Sequence, residues 1–324
     1  MHPAFNALDH ALISRSQVPA SKPDPAQAPG EKPSGLELTT ANALWAQQDL
    51  PIREAFLDTL ARNYGSGVQL LNFDESEQAR QAINTWVSDQ TKQRIEDLLP
   101  EGSITPDTAL VLTNAIYFKA SWAERFNSQA TADGPFMLLD GSQVTTPMMH
   151  NVSTYGQGAG SGYVAVELPY YGQTTSMVIV MPDAGQFAEF EAGLTAERLD
   201  AILAGLQPGR VDLKMPKFEI KGQTISLAEA LRSLWMKVAF DRNLADFSGM
   251  VADPRLWIDD VMHQAFVAVD EQGTEAAAAT AVIMTLTSLQ QTDTVIIDRP
   301  FLFLIRDRQT GTILFMGRMV DPRG

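Results

Sequence analysis

The chain contains no cysteine. Disulfides and thiolate metal sites are therefore excluded, and cysteine usage carries no information on redox compartment. Histidine is scarce. His2, His10, His150 and His263 are the whole supply, and no two fall at a metal-ligand spacing. No run reaches the roughly 18 apolar residues that a membrane-spanning helix needs. Basic residues are outnumbered, 24 against 39 acidic, for a net charge of -15. That balance keeps a protein soluble and disfavours nucleic acid or an anionic membrane as the main partner. No G-x-S-x-G elbow is present, which argues against a hydrolase of that kind. The Gly-rich stretch 155–163 (YGQGAGSGY) lacks a phosphate-loop lysine and dinucleotide-binding spacing, and reads as a flexible turn. Paired acids such as Asp259 and Asp260 read as surface charge. No metal or cofactor is expected, and no catalytic group.

What is present is a mixture of helices and strands. Residues 1–15 place Phe5, Leu8 and Leu12 at helical spacing. Residues 16–35 are rich in Pro, Ser and Ala and read as a flexible loop. Strands are expected at 36–47, 109–120, 166–171, 174–182 and 214–220, the last interrupted by Pro216. Helices are expected at 51–63, at 187–206 and at 225–236. One long amphipathic helix is expected over 74–99, with Ile83, Val87, Ile95 and Leu98 as its stripe. Residues 263–273 alternate with period two. Two strong strands, 301–307 and 313–320, flank a hairpin turn. There is no internal repeat and no regular βαβ alternation, so the class is α+β.

Residues 274–284 (TEAAAATAVIM) admit two readings. Their composition favours an ordinary helix. Their position, straight after an alternating strand and before a polar run, favours a mobile loop.

Seven blocks carry a further signal: ANALWAQ (41–47), INTWVSDQTKQRIEDLLP (83–100), LTNAIYFKASWAERF (112–126), PKFEIKG (216–222), DFSGM (246–250), HQAFVAVDEQGTEAAAAT (263–280) and RPFLFLIRDRQTGTILFMGRMVDP (299–322). Together, and in this order, they resemble the serpin family of serine protease inhibitors. The resemblance implies a single domain over 1–324, with one large central sheet, two smaller sheets and surrounding helices. It also implies helices and a first strand before MHPAFNAL, so the domain is expected to be N-terminally incomplete. Gln93 stands where the family usually has Gly.

The resemblance further implies a reactive-centre loop over 273–298 that is cut by a target protease and then inserts into the central sheet. In that register Glu271, Gly273, Thr274, Glu275, Ala276, Ala277, Ala278, Ala279 and Thr280 form the hinge. Insertion requires small or apolar side chains at alternate positions, and Thr274, Ala276, Ala278, Thr280 and Val282 supply them. Gly273 gives backbone freedom for the reversal. No proline lies between Gly273 and Asp298, so every residue there can donate to a ladder. The reactive bond falls at Thr287–Ser288 counted forward from Glu271, and at Leu289–Gln290 counted back from Arg299-Pro300; Leu286 is a further candidate. No Lys or Arg lies in the loop, which disfavours trypsin-like targets and suits elastase-, chymotrypsin- or subtilisin-like ones. Asn114 and His263 match a polar pair at the sheet opening. Trp122 matches the point where insertion begins, and Lys217 pairs with Glu271 at the hinge. The resemblance suggests a monomer that acts outside the cell or in a periplasm, although the chain shows no signal peptide.

Overall fold

The computed structural model describes residues 2–16, 36–64, 67–253, 256–274 and 292–323. In chain order its first elements are α1 (His2–Ser16), β1 (Glu37–Gln47), α2 (Glu54–Tyr64), β2 (Val68–Leu71), α3 (Ser76–Gln90) and β3 (Leu110–Ser121). There follow β4 (Ala132–Met137), β5 (Gln143–Gly160), β6 (Tyr163–Pro169), β7 (Thr175–Pro182), α4 (Phe187–Ala192), α5 (Ala196–Ala204), β8 (Gln207–Pro216) and β9 (Phe218–Lys221). The last are β10 (Ile225–Ser226), α6 (Ala228–Ser233), β11 (Val261–Val269), β12 (Gly273–Thr274), β13 (Asp293–Ile296), β14 (Phe301–Asp307) and β15 (Ile313–Met319). Helices and strands are intermixed, as the sequence class requires. The residues group into two compact units, one formed by 1–13, 38–118 and 221–266 and the other by 14–37, 119–220 and 267–324.

In the first unit β3 and β11 run parallel, with Leu112 to Tyr117 registered against Val261 to Phe266. On its other side β1 pairs parallel with β2. Helix α3 buries Ala79, Ile83, Asn84 and Val87. It is shorter than its apolar stripe suggests. The helix stops at Gln90, where the Thr91 hydroxyl bonds to the carbonyl of Val87 and competes with the helical pattern. Lys92 and Gln93 then take left-handed backbone, with φ of 53° and 60°, which accounts for the glycine usual at position 93. Ile95, Leu98 and Leu99 are still buried, but from an irregular segment. Asn84 holds that segment, accepting from the Leu99 amide and donating to the Leu99 carbonyl. The apolar period continues to Leu99 although the helix ends at Gln90, because burial does not distinguish a helix from a chain doubling back over it.

The expected helix at 225–236 is also shorter. Ile225 and Ser226 pair with β11 as β10, and only Ala228–Ser233 is helical. Its end is unusual. Trp235 stands in the left-handed region at φ 73° and is 89% exposed, and its amide and that of Met236 close the helix on Arg232 and Leu231. Glycine is the ordinary residue at such a closure. The Trp235 ring returns no burial for the strain, so Trp235→Gly is expected to stabilise the fold by about 0.5–1 kcal/mol, net of the extra freedom glycine gives the unfolded chain. Chemical denaturation of the pair checks this.

The second unit is built on a sheet ordered β13-β8-β5-β6-β7-β14-β15, with β4 on the early part of β5. Every residue of β7 is buried, as the apolar run Met177 to Pro182 demands, and Thr175 and Ser176 are buried with it. Phe136, Phe218, Phe301 and Phe303 form an aromatic cluster in its core. The stretch 155–163 is not a flexible turn. Its first six residues complete β5, and Gly160 pairs with Tyr163 across a tight hairpin into β6. Two of the glycines answer to crowding by side chains of β6, since a Cβ on Gly156 would meet Glu167 at 3.1 Å and one on Gly160 the Tyr163 ring at 2.5 Å, while Gly162 turns the hairpin at φ +84°. The expected helix at 187–206 is two helices, α4 and α5, separated at Gly193 and capped afresh by the Thr195 hydroxyl. The break of 214–220 at Pro216 is as expected, with β8 ending there and β9 beginning at Phe218. Ser16 is helical rather than the start of the Pro-rich loop, of which 17–35 lie outside the described residues. Four residues assigned to the reactive loop, Asp293–Ile296, instead pair parallel with β8 as β13.

Candidate functional site

The strand that leads towards the candidate loop ends at Val269, and the chain reverses within four residues. Asp270 forms the turn. Its backbone amide donates to the Gly273 carbonyl at 3.0 Å, and its carboxylate accepts from the amides of Gln272 and Gly273 at 2.8 and 3.2 Å. Acidic residues make such local bonds readily, which is why they favour turns. Burial pushes the Asp270 carboxyl above its ordinary value; the amide donors partly offset this.

The reversal delivers Gly273 and Thr274 as β12, antiparallel to β3 at Ser121 and Ala120 and to β11 at Val269. Within the second unit the two residues thus lie between β3 and β11. The approach is close. Gly273 has φ +154°, and a Cβ there would sit 2.0 Å from the Ala120 carbonyl oxygen, so no other residue fits without displacement. Thr274 is fully buried, with its hydroxyl 2.7 Å from that of Tyr170.

Trp122 is the platform for the turn. Its amide donates to the Gln272 carbonyl and its indole Nε1 to the Asp270 carbonyl, at 2.8 and 2.9 Å. The ring stacks on Tyr170 at 4.6 Å between centroids, with 7° between planes. Full burial raises the Tyr170 hydroxyl far above its ordinary pKa, so it stays a neutral phenol.

Glu271 faces the other way. It is 7% exposed, and its carboxylate accepts from Lys217 Nζ and from the Thr131 hydroxyl, both at 2.7 Å. Burial works to raise this carboxyl, but the Lys217 and Thr131 bonds outweigh it and hold the group below its usual range. Its backbone carbonyl accepts from the Phe126 amide at 2.8 Å. Lys217 reaches the position because Pro216 ends β8 and the Lys217 amide bonds across to Pro147.

The structure therefore brings Trp122, Lys217, Glu271, Gly273 and Thr274 together in one unit. Asn114 and His263 belong to the other unit, where they are register partners on β3 and β11. His263 Nδ1 bonds to Asn114 Oδ1, and Asn114 Nδ2 donates to Asn42. An amide oxygen as acceptor places the proton on Nδ1. Burial lowers the His263 pKa, with the Asn114 bond opposing the shift. Asn114 also lines a cavity of about 860 Å³ with Asn42, Trp86 and Leu112. Glu275, Ala276, Ala277, Ala278, Ala279 and Thr280, and the bait candidates Leu286, Thr287, Ser288 and Leu289, lie outside the described residues.

Tyr170, Thr131 and Asp270 do not stand out in the sequence as site residues. Asp270 carries a weak signal, an acid three residues before a glycine at the end of a strand. Tyr170 and Thr131 carry none, since they reach the hinge from 104 and 140 residues away.

A family model described as serpin (serine protease inhibitor) matches residues 5–322. An uncharacterized serpin-like protein of Thermococcus kodakarensis is 39% identical over 291 residues, 88% of this chain and 67% of its own length. Antithrombin-III of Mus musculus is 37% identical over 292 residues, covering 88% of this chain and 63% of its own. The solved structure of human thyroxine-binding globulin complexed with its ligand superposes with a TM-score of 0.82 at 31% identity, over 99% of this chain and 80% of that one. With a match from end to end and relatives at this identity, the chain belongs to the serpin family.

Proposed function

We propose that this serpin inhibits serine proteases as a single-use substrate and has no catalytic activity of its own. The observation that carries the reading is β12. The two residues that lead into 275–291 already run as a strand between β3 and β11, with Thr274 buried. If residues beyond Thr274 insert with continued alternation, Ala276, Ala278, Thr280 and Val282 would share its side, all small or apolar. Each further ladder bond contributes about 0.5–1.5 kcal/mol, so ten or more supply a large one-way drive. A serpin loop that inserts in this way adds a strand to an existing sheet and releases strain stored in the uncut form.

The chemistry is the protease's. Its serine oxygen attacks the carbonyl carbon of Thr287, and the bond to Ser288 breaks. The Ser288 amine leaves with a proton, and an ester joins Thr287 to the protease. Once cut, the loop is free to insert and carries the tethered protease with it. Trapping succeeds when insertion is faster than hydrolysis of the ester. The absence of Lys and Arg from the loop favours targets with apolar or small primary pockets, of the elastase, chymotrypsin or subtilisin kind.

A second reading, a serpin that carries a ligand and traps nothing, has the likeness to thyroxine-binding globulin in its favour. One experiment separates the two. The protein is incubated with elastase, chymotrypsin and subtilisin in turn, resolved on a denaturing gel, and the released peptide is weighed. A band near the summed masses, with a new N-terminus between residues 287 and 290, is expected. Cleavage with no such band and no rise in melting temperature excludes inhibition.

A further inference from the structure

We infer that Tyr170 is a positioning residue for insertion: its hydroxyl seats Thr274 and thereby sets the register of the incoming strand. The inference rests on the inhibitory reading and deepens it. Starting a new strand is the costly part, since backbone must be ordered before many bonds form. Here that ordering is already complete, through the Asp270 turn, the Trp122 donors and the two pairs of β12.

What this start sets is the parity of the strand that follows. Successive side chains of a strand face opposite sides, so a slip of one residue exchanges the two sets. With Thr274 inward, the inward set is Thr274, Ala276, Ala278, Thr280 and Val282. A one-residue slip would turn Glu275 inward and bury a carboxylate, which is strongly unfavourable.

The Tyr170–Thr274 bond discriminates between these registers. Both residues are 0% exposed, and the hydroxyls are 2.7 Å apart. The phenol cannot swing away readily, because its ring is stacked on Trp122 and its amide is bonded to the Thr175 carbonyl at 3.0 Å. A slipped chain would face this fixed hydroxyl with a glycine or a glutamate instead of a matching hydroxyl. A chain that inserts slowly or out of register loses the race against hydrolysis and is released as cut substrate.

The test is the number of inhibitor molecules consumed per elastase molecule trapped. For Tyr170→Phe this stoichiometry is expected to rise about three- to ten-fold, the size of one neutral hydrogen bond, while the rate of loop cleavage stays unchanged. The double variant Tyr170→Phe/Thr274→Val replaces both hydroxyls and should recover most of the trapping, since a matched apolar pair leaves no orphan. A purely structural role would lower the melting temperature of the uncut protein and leave the stoichiometry alone. Should Tyr170→Phe not fold, Thr274→Val reads the same bond. An unchanged stoichiometry overturns the inference while leaving inhibition standing. If the wild type traps no protease, the comparison moves to the gain in melting temperature on loop cleavage. A smaller gain in Tyr170→Phe supports the inference and an equal gain overturns it. A wild type with neither trapping nor gain removes insertion, and the inference with it.

Discussion

Glu271→Lys should cost about 1–3 kcal/mol of stability, because Glu271 is 7% exposed while the Lys217 side chain is 38% exposed and keeps water as a partner. Three losses act together. The carboxylate that Lys217 and Thr131 address at 2.7 Å disappears. A second cation is placed beside Lys217. The Glu271 backbone, which receives the Phe126 amide, must move to make room for a longer side chain. Since Glu271 is the residue after Asp270, the disturbance falls on the turn that delivers β12. The variant should therefore melt earlier and form more high-mass species on prolonged warming than the wild type does under the same conditions. Size-exclusion chromatography after incubation checks the second point, and a variant that remains monomeric would refute it. Glu271→Gln keeps an acceptor for Thr131 and should show a smaller loss. The pH dependence follows from the direction of the shift. The folded carboxyl lies below the ordinary 4.5, so the unfolded chain takes up its proton first. The stabilisation is whole above about 4.5 and is lost as pH falls below that value. Asp270, raised by burial, acts with the opposite sign. The Glu271→Gln variant isolates the Glu271 contribution by removing its pH dependence.

Much of this site was legible because its residue types are constrained by local geometry. Gly273 stands out in the sequence as the residue able to reverse a strand, and its close approach to Ala120 supplies the reason. Glu271 and Lys217 were paired through the family's pattern, not through any property of their own neighbourhoods. Burial on one side raises the weight of that pair: as a fully exposed pair it would be worth about 0–1 kcal/mol, whereas Glu271 is nearly inaccessible while Lys217 is 38% exposed. The partners that sequence does not disclose are Tyr170 and Thr131, since nothing local marks a tyrosine at the end of one strand as the neighbour of a threonine on another. The same limit explains the errors in the fold. Apolar periodicity over 74–99 records burial, and burial continues after α3 has ended. Glycine composition over 155–163 suggests a loose turn, yet Gly156 and Gly160 lie in β5 and relieve crowding by the β6 side chains Glu167 and Tyr163. Short strands such as β10 and β13 owe their existence to the strands beside them, and their own sequences resemble helix or loop.

Gly273→Ala should separate recognition of the loop from its insertion. The added methyl group would meet the Ala120 carbonyl oxygen at 2.0 Å and the Ser121 Cα at 2.6 Å, and both are backbone atoms that cannot rotate away. An alanine at φ +154° also carries the strain of a region that L-residues avoid. Overpacking costs about 1–3 kcal/mol on its own, and the backbone strain adds to it. The cheapest escape is for residues 273–274 to leave the gap, which breaks the β12 pairings and the Tyr170–Thr274 bond together. The bait residues are untouched, so a protease should cut the loop as fast as before. What changes is the outcome: insertion has to begin from an unseated strand, hydrolysis of the ester gains the advantage, and the variant becomes a substrate. Elastase should recover activity after a delay set by the amount of variant added, and the gel should show cut inhibitor with little high-mass complex. Full trapping by Gly273→Ala at wild-type stoichiometry would mean that β12 plays no part in starting insertion. It would leave inhibition standing and remove the role of Tyr170, which depends on a seated β12.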